Sequence, residues 1–172
     1  MSDDSPAPAK TPGTYGSEAV TAAADPATWE IWSAPERHRE VLYQRFPEFT
    51  CLCPRSGYPD FATVHLVTIP NRKVIELKHL KLWLNSFRDR PISHELAAAE
   101  IVDTLARTLD LAYAFILMEY TPRGNLLTIP MIEYRSPHLS GLDADLPLSI
   151  ALGNAERVRD RLIDRAVATA QP

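Results

Sequence analysis

Residues 60–69, DFATVHLVTI, constrain the fold of this chain more than any other stretch. Side chains alternate across an extended backbone. Phe61, Thr63, His65 and Val67 therefore share one face, and Ala62, Val64, Leu66 and Thr68 share the other. Apolar residues on both sides predict a strand buried on much of both faces. Such a strand needs neighbours beside it and cover over it.

The following segments supply both. Pro70-Asn71-Arg72 reads as a turn and KVIEL as a short second strand. A helix is expected over about Lys78 to Arg88, with Leu77, Leu80, Leu84 and Phe87 on its buried stripe. Pro91 interrupts the chain, and Ser93 is placed to cap a second helix, HELAAAEIVDTLARTL. Ala98, Ile101, Val102, Leu105 and Leu109 form its apolar face. LAYAFILMEY reads as a third strand, Pro122–Asn125 as a hairpin turn, and LLTIPMIEYR as a fourth strand with Pro130 at an edge or bulge. The stretch before the first strand, RHREVLYQRFPEFTCL, reads as an extended lead-in. The order strand, strand, helix, helix, strand, strand predicts an α+β domain with a four-stranded antiparallel sheet and two helices on one face. Its two open edges favour oligomerisation.

Three parts are expected. Residues 1–28, rich in Ala, Pro, Ser and Thr, read as a flexible N-terminal arm with little core of its own. Residues 29–136 form the domain. Residues 137–172 form an extension carrying a short peripheral helix, NAERVRDRLIDRAVATA. The first ten residues, MSDDSPAPAK, are acidic and proline-rich, unlike a secretory leader, and no apolar run reaches membrane-spanning length. The formal net charge of −4 disfavours sequence-independent binding of nucleic acid. Two cysteines are too few for a disulfide framework, so a cytoplasmic protein is expected. Its six glycines form neither a G-x-G-x-x-G loop nor a P-loop, so a nucleotide would have to be held by side chains.

Both cysteines fall in FTCLCPRSGYPDFATV, either side of one leucine. A disulfide between them would be strained. Three readings stand for Cys51 and Cys53: small buried hydrophobes, zinc ligands, or a nucleophile with its proton donor. The spacing is wrong for structural zinc, and the five histidines are scattered. The Pro-Arg-Ser-Gly turn after Cys53 favours that residue as nucleophile, and the turn can bring Asp60 back toward its sulfur. Elsewhere, Glu76, Lys78 and Lys81 at a helix start, His94 and Glu95 in a helix first turn, and Arg123-Gly124 in a turn each have a plain reading as solvated charge. Each also has a functional one. Carboxylates accept from ligand N–H groups, and cations hold phosphate.

FTCLCPRSGYPDFATV, VIELKHLKLWLNSFRDRPISHE and TPRGN together resemble the NADPH-dependent 7-cyano-7-deazaguanine reductases, the QueF-type nitrile reductases. The resemblance runs from about Arg45 to Tyr134 and is to the short, single-module branch. Glu76–Trp83 fits the family signature except at His79, where Ser or Ala is usual. The resemblance implies the tunnelling fold (T-fold), assembled into an oligomeric barrel of two stacked pentamers with active sites between subunits. It implies four-electron reduction of a nitrile to a primary amine with NADPH as cofactor, a step towards the tRNA nucleoside queuosine. It implies Cys53 as nucleophile and Asp60 as proton donor. Ile75, Glu76, Leu77, His94 and Glu95 would hold the substrate, and Lys78, Lys81, Arg123 and Gly124 would hold NADPH. No metal, membrane or direct nucleic-acid partner is implied. Two other readings use the same residues: an amidine-forming transferase relative, and a non-catalytic purine- or pterin-binding module.

Overall fold

The computed structural model describes residues 16–35 and 40–137. Strand β2 (Leu42–Leu52), β3 (Pro59–Pro70), β5 (Leu111–Tyr120) and β6 (Met131–Arg135) form an antiparallel four-stranded sheet in the order β2-β3-β5-β6. The stretch at 60–69 is thus a central strand, and Ala62, Val64, Leu66 and Ile69 are all buried. Ala62, Val64, Leu66, Ala114, Ile116, Met118 and Tyr120 share one core with both long helices. The sheet therefore carries both helices on one face.

Two sequence expectations need correction. The sheet's edge partner for β3 is not KVIEL but the segment read as a lead-in: Leu42 pairs with Thr68 and Leu52 with Pro59. KVIEL contributes only β4 (Lys73–Ile75), which pairs with β1 (Ile31–Ser33) as a separate two-stranded ribbon. The pairing of β2 is interrupted by a bulge between Phe46 and Phe49, spanning Pro47, which has no N–H to give a ladder. Residues 17–28, assigned to an arm, hold helix α1 (Ser17–Ala23) and a 3₁₀ turn at Pro26–Thr28. Ala23 is buried, and its carbonyl accepts from Trp29 Nε1 at 2.9 Å, tying that helix to the core. The C-terminal helix expected within 137–172 lies outside the described residues.

Helix α2 (Leu77–Asn85) ends three residues before the expected Arg88. Glu76 caps it, its Oε2 accepting from the His79 N–H at 3.1 Å. Its buried face turns Leu80, Trp83 and Leu84 onto the core, where Trp83 packs edge-on against Trp29 and Phe87. Helix α3 (His94–Leu109) occupies the range expected and is capped by Ser93 Oγ. It buries Ala98, Ile101, Val102, Leu105 and Leu109 and stops at Asp110, in the left-handed region at φ 51°. The long helix thus packs across β5 and β6, with its first turn beside the C-terminal end of β5. Among the described residues no helix is long and apolar enough to cross a membrane.

Candidate active site

Two antiparallel neighbours meet at one end of the sheet. Cys51 pairs with Asp60 across β2 and β3, and the tight turn between these strands carries Cys53. Gly57 N–H donates to the Cys53 carbonyl at 2.9 Å, and Cys53 N–H to the Tyr58 carbonyl at 2.8 Å. Gly57 sits at φ 67°, which a glycine tolerates without a Cβ penalty. The end of β5 and the first turn of α3 close over the same place. The result is a cavity of about 330 Å³ lined by Cys53, Arg55, Asp60, Ser93, His94, Glu95, Tyr120 and Arg123 among others.

Strand alternation alone would put Cys51 and Cys53 on one face, but β2 ends at Leu52 and the turn that follows takes Cys53 away from the core. Cys51 points into the core, fully buried, with its sulfur 3.9 Å from Tyr120 Oη. Burial pushes its thiol up. Cys53 faces the cavity, and its thiol falls to about 7, chiefly through the Ser56 hydroxyl, then the backbone N–H groups of Ser56 and Arg55. The thiolate, the reactive form, is therefore abundant near neutral pH at Cys53 and not at Cys51. Among the described residues, the His/Cys/Asp/Glu group close enough to share a metal is Glu30, Glu76 and His79, and it contains neither cysteine.

Asp60 is buried with only 4% of its surface exposed, so its carboxylate needs partners. It has two: Arg123 Nη1 contacts Oδ1, and His94 Nε2 lies 3.4 Å from Oδ2. The His94 ring stacks on Tyr120, with centroids 3.7 Å apart and planes 14° apart. Arg123 also donates from Nη2 to Ser56 Oγ at 3.0 Å. Arg123 thus bridges the acid and the cysteine turn. Ser56 and Tyr120 were not singled out from the sequence. Ser56 stood inside the quoted turn; Tyr120 looked like any aromatic in an apolar strand.

The structure brings Cys53, Asp60, His94, Glu95 and Arg123 together. It does not bring Ile75, Glu76 and Leu77 to them. Ile75 and Leu77 line a groove of about 240 Å³ with Thr68 and Pro70, at the opposite end of β3 from Asp60. At about 3.3 Å per residue, Thr68 lies roughly 26 Å along the strand from Asp60. Glu76 itself is held by the His79 ring, Nδ1 to Oε2 at 3.2 Å. Burial raises its carboxyl, but the backbone N–H groups of Lys78 and His79 and the His79 side chain outweigh this and hold it below the usual carboxylate range. Lys81 lines a neighbouring groove of about 330 Å³ with Gln44, Arg45, Leu77 and Leu80. Gly124 sits in the β5–β6 turn at φ 58° with open space where a Cβ would be.

These grooves suit a dinucleotide cofactor in kind. Apolar walls take a ring, and Arg45 and Lys81 offer charge to phosphate. Gln44 borders both grooves, and its Oε1 is buried without a partner, an acceptor for a ligand amide.

Comparison with known proteins gives this geometry a context. A family model described as QueF-like protein matches residues 59–138. The chain is 46% identical over 119 residues to the NADPH-dependent 7-cyano-7-deazaguanine reductase of Sulfurimonas denitrificans, covering 69% of this chain and 95% of that protein. It is 48% identical over 108 residues to the protein of the same name from Aquifex aeolicus, covering 62% and 84%. Among solved structures, the archaeosine synthase QueF-Like in its apo form shares the fold, with a TM-score of 0.51 at 20% identity over 60% of this chain and 97% of that one. The chain belongs to the family of NADPH-dependent 7-cyano-7-deazaguanine reductases.

Proposed function

We propose that this chain reduces the nitrile of 7-cyano-7-deazaguanine to an aminomethyl group, consuming two NADPH, through a covalent thioimide on Cys53. The product is an intermediate on the way to queuosine. The observation that supports this reading best is the placing of a low-pKa thiol and a buried carboxylate on one cavity, at Cys53 and Asp60.

A nitrile carbon is a modest electrophile, and a thiolate is a strong nucleophile at neutral pH. Attack forms the S–C bond and opens one π bond of the nitrile. Once the S–C bond has formed and Arg123 has moved off Asp60, that carboxyl passes a proton to the nitrogen, with His94 beside it on Oδ2. NADPH, when bound, supplies hydride to the carbon, first of the thioimide and then of the imine that follows. Cys53 leaves as thiolate between those additions and is ready for another cycle. The two hydrides and two protons balance the four-electron reduction. Glu95 and His94 accept from the N–H edge of the deazaguanine, and Glu76 with Ile75 and Leu77 holds its other side. Lys78, Lys81, Arg123 and Gly124 hold NADPH. Arg123 has to leave Asp60 to do so, which frees the carboxylate to carry a proton.

The two halves of this site lie at opposite ends of one sheet, so each active site takes Glu76 from a neighbouring copy. The tunnelling fold assembles such sheets edge to edge, and β2, eleven residues long, and β6, five residues long, are the edges. We propose two stacked pentamers. Both thiols are unpaired, which suits a reducing compartment, and we place the enzyme in the cytoplasm.

Stoichiometry tests the reading. The protein, NADPH and 7-cyano-7-deazaguanine are mixed, and NADPH loss is compared with nitrile supplied. Two NADPH per nitrile, with the aminomethyl product by mass, is the expected result. A protein mass raised by the whole nitrile without NADPH loss would point to the amidine-forming relative. Neither change would leave a binding module.

A further inference from the structure

The turn that carries Cys53 contains a hydroxyl whose bonding is determined. Ser56 Oγ accepts from Arg123 Nη2 at 3.0 Å and from the Tyr58 N–H at 3.4 Å. A serine hydroxyl has two lone pairs and one proton. With both lone pairs engaged, only the proton remains to be given. Cys53 lies at the mouth of the same closed turn, tied by the Gly57-to-Cys53 and Cys53-to-Tyr58 backbone bonds. Arg123 cannot drift away from Ser56 freely, because its other nitrogen is paired with the buried Asp60 carboxylate. Asp60, Arg123 and Ser56 thus form one connected chain of polar contacts that ends on the turn carrying Cys53.

We propose that Ser56 is a positioning residue for the nucleophile: its hydroxyl, oriented by Arg123, donates to the Cys53 thiolate, keeps it ionised and aims it into the cavity. This rests on reading Cys53 as the nucleophile. The depressed Cys53 thiol is consistent with it, since the Ser56 hydroxyl is the largest contributor. The other charged or titratable groups lining the cavity with Cys53 are Arg55, Asp60, His94, Glu95, Tyr120 and Arg123. Arg123 gives Ser56 a dual setting. While Arg123 is on Asp60 the hydroxyl is oriented and the thiolate is poised for attack. After the S–C bond forms, the sulfur carries no charge and needs the hydroxyl no longer, so Arg123 can turn to a phosphate.

The test reads the thiol directly, without nitrile or NADPH. Alkylation of Cys53 by iodoacetamide is followed by mass spectrometry of the Cys53 peptide as pH is varied, in the full chain. The wild-type rate should titrate with a midpoint near 7. In Ser56→Ala the midpoint should rise by about half a unit or more, as expected for losing a donor to a charged, exposed sulfur. Ser56→Thr should return it to the wild-type value, while Ser56→Val, of the same shape without a hydroxyl, should not. That pair decides the matter even if Ser56→Ala folds poorly. At neutral pH Ser56→Val should lose several-fold in kcat with KM for NADPH within twofold of wild type. Equal midpoints in Ser56→Thr and Ser56→Val would overturn the proposal, as would a wild-type midpoint near 9. A wild-type protein that titrates as expected but never consumes NADPH with the nitrile would instead sink the proposed function and leave Ser56 standing.

Discussion

Tyr120 offers a test of how the core shapes the site. Its ring is 1% exposed and does two separable things. The ring stacks on His94 at 3.7 Å and meets Phe49 edge-on at 6.4 Å. Among the described residues the hydroxyl has one weak contact, to Cys51 sulfur at 3.9 Å. An aromatic pair of this kind is worth about 0.5–1.5 kcal/mol beyond buried area. If the stack fixes the plane of His94, losing it should weaken nitrile binding by about twofold to twelvefold at RT of about 0.6 kcal/mol. The hydroxyl, by contrast, should cost no more than about 1 kcal/mol of stability and nothing in binding. Tyr120→Phe should therefore bind substrate as wild type does, and Tyr120→Leu should bind it several-fold more weakly. Titration of the nitrile onto protein carrying Cys53→Ala measures affinity without adduct formation, and thermal denaturation measures the fold separately. If Tyr120→Phe loses as much affinity as Tyr120→Leu, the ring is not what holds His94, and the reasoning fails.

Other expectations follow from the same geometry. Cys53→Ala should abolish the covalent adduct seen by intact mass, while Cys51→Ala should keep most activity and lose about 1 kcal/mol of stability for the small core void; adduct loss in Cys51→Ala alone would reverse the assignment. Asp60→Asn should still form some adduct but turn it over poorly, and normal steady-state turnover would remove Asp60 from the chemistry. His65 is buried and neutral, its pKa lowered to about 4 first by burial and then by Arg45. The unfolded chain binds that proton more readily, so the stability contribution is full above about 6.5 and is lost as pH falls towards 4. His65→Gln should flatten the fall in melting temperature over that window, and an unchanged slope would show that other groups set it.

Much of the framework was legible because its signals are local. The alternation at 60–69, the apolar run of β5 and the capped stripe of α3 each report their own burial, and these elements stand where expected. The edge strand was harder to read. Its first half alternates exposed and half-buried residues, Tyr43, Arg45 and Pro47 facing outward, so it lacks the apolar run of a central strand. KVIEL has that apolar character but pairs over only three residues with a ribbon at 31–33, a contact no local pattern encodes. The same holds in the site. That Cys53 and Asp60 would come to one place was legible from one short turn. Ser56 and Tyr120 gain their meaning from Arg123 and His94, which lie 67 and 26 residues away in the chain.

The separation of Glu76 from Glu95 has a consequence that can be tested without a structure of the assembly. Leu77, the first residue of helix α2, shares a groove with Thr68, roughly 26 Å along β3 from Asp60, and the sheet between is too rigid to fold the two ends together. With Glu76 and Glu95 both holding the base, as proposed, the base has to sit between copies. Cys53→Ala and Glu76→Ala proteins, each inactive alone, should then complement. A mixed assembly contains some interfaces that pair an intact Cys53 from one copy with an intact Glu76 from the other. With random mixing of equal amounts, about a quarter of the sites should be of this kind, so activity should recover to about a quarter of wild type after subunit exchange. If instead each chain closes its own site, every site in the mixture lacks one of the two residues, and no activity returns. Recovery without subunit exchange, or recovery from two variants altered at Cys53 and Asp60, which line the same cavity of one chain, would contradict the arrangement equally.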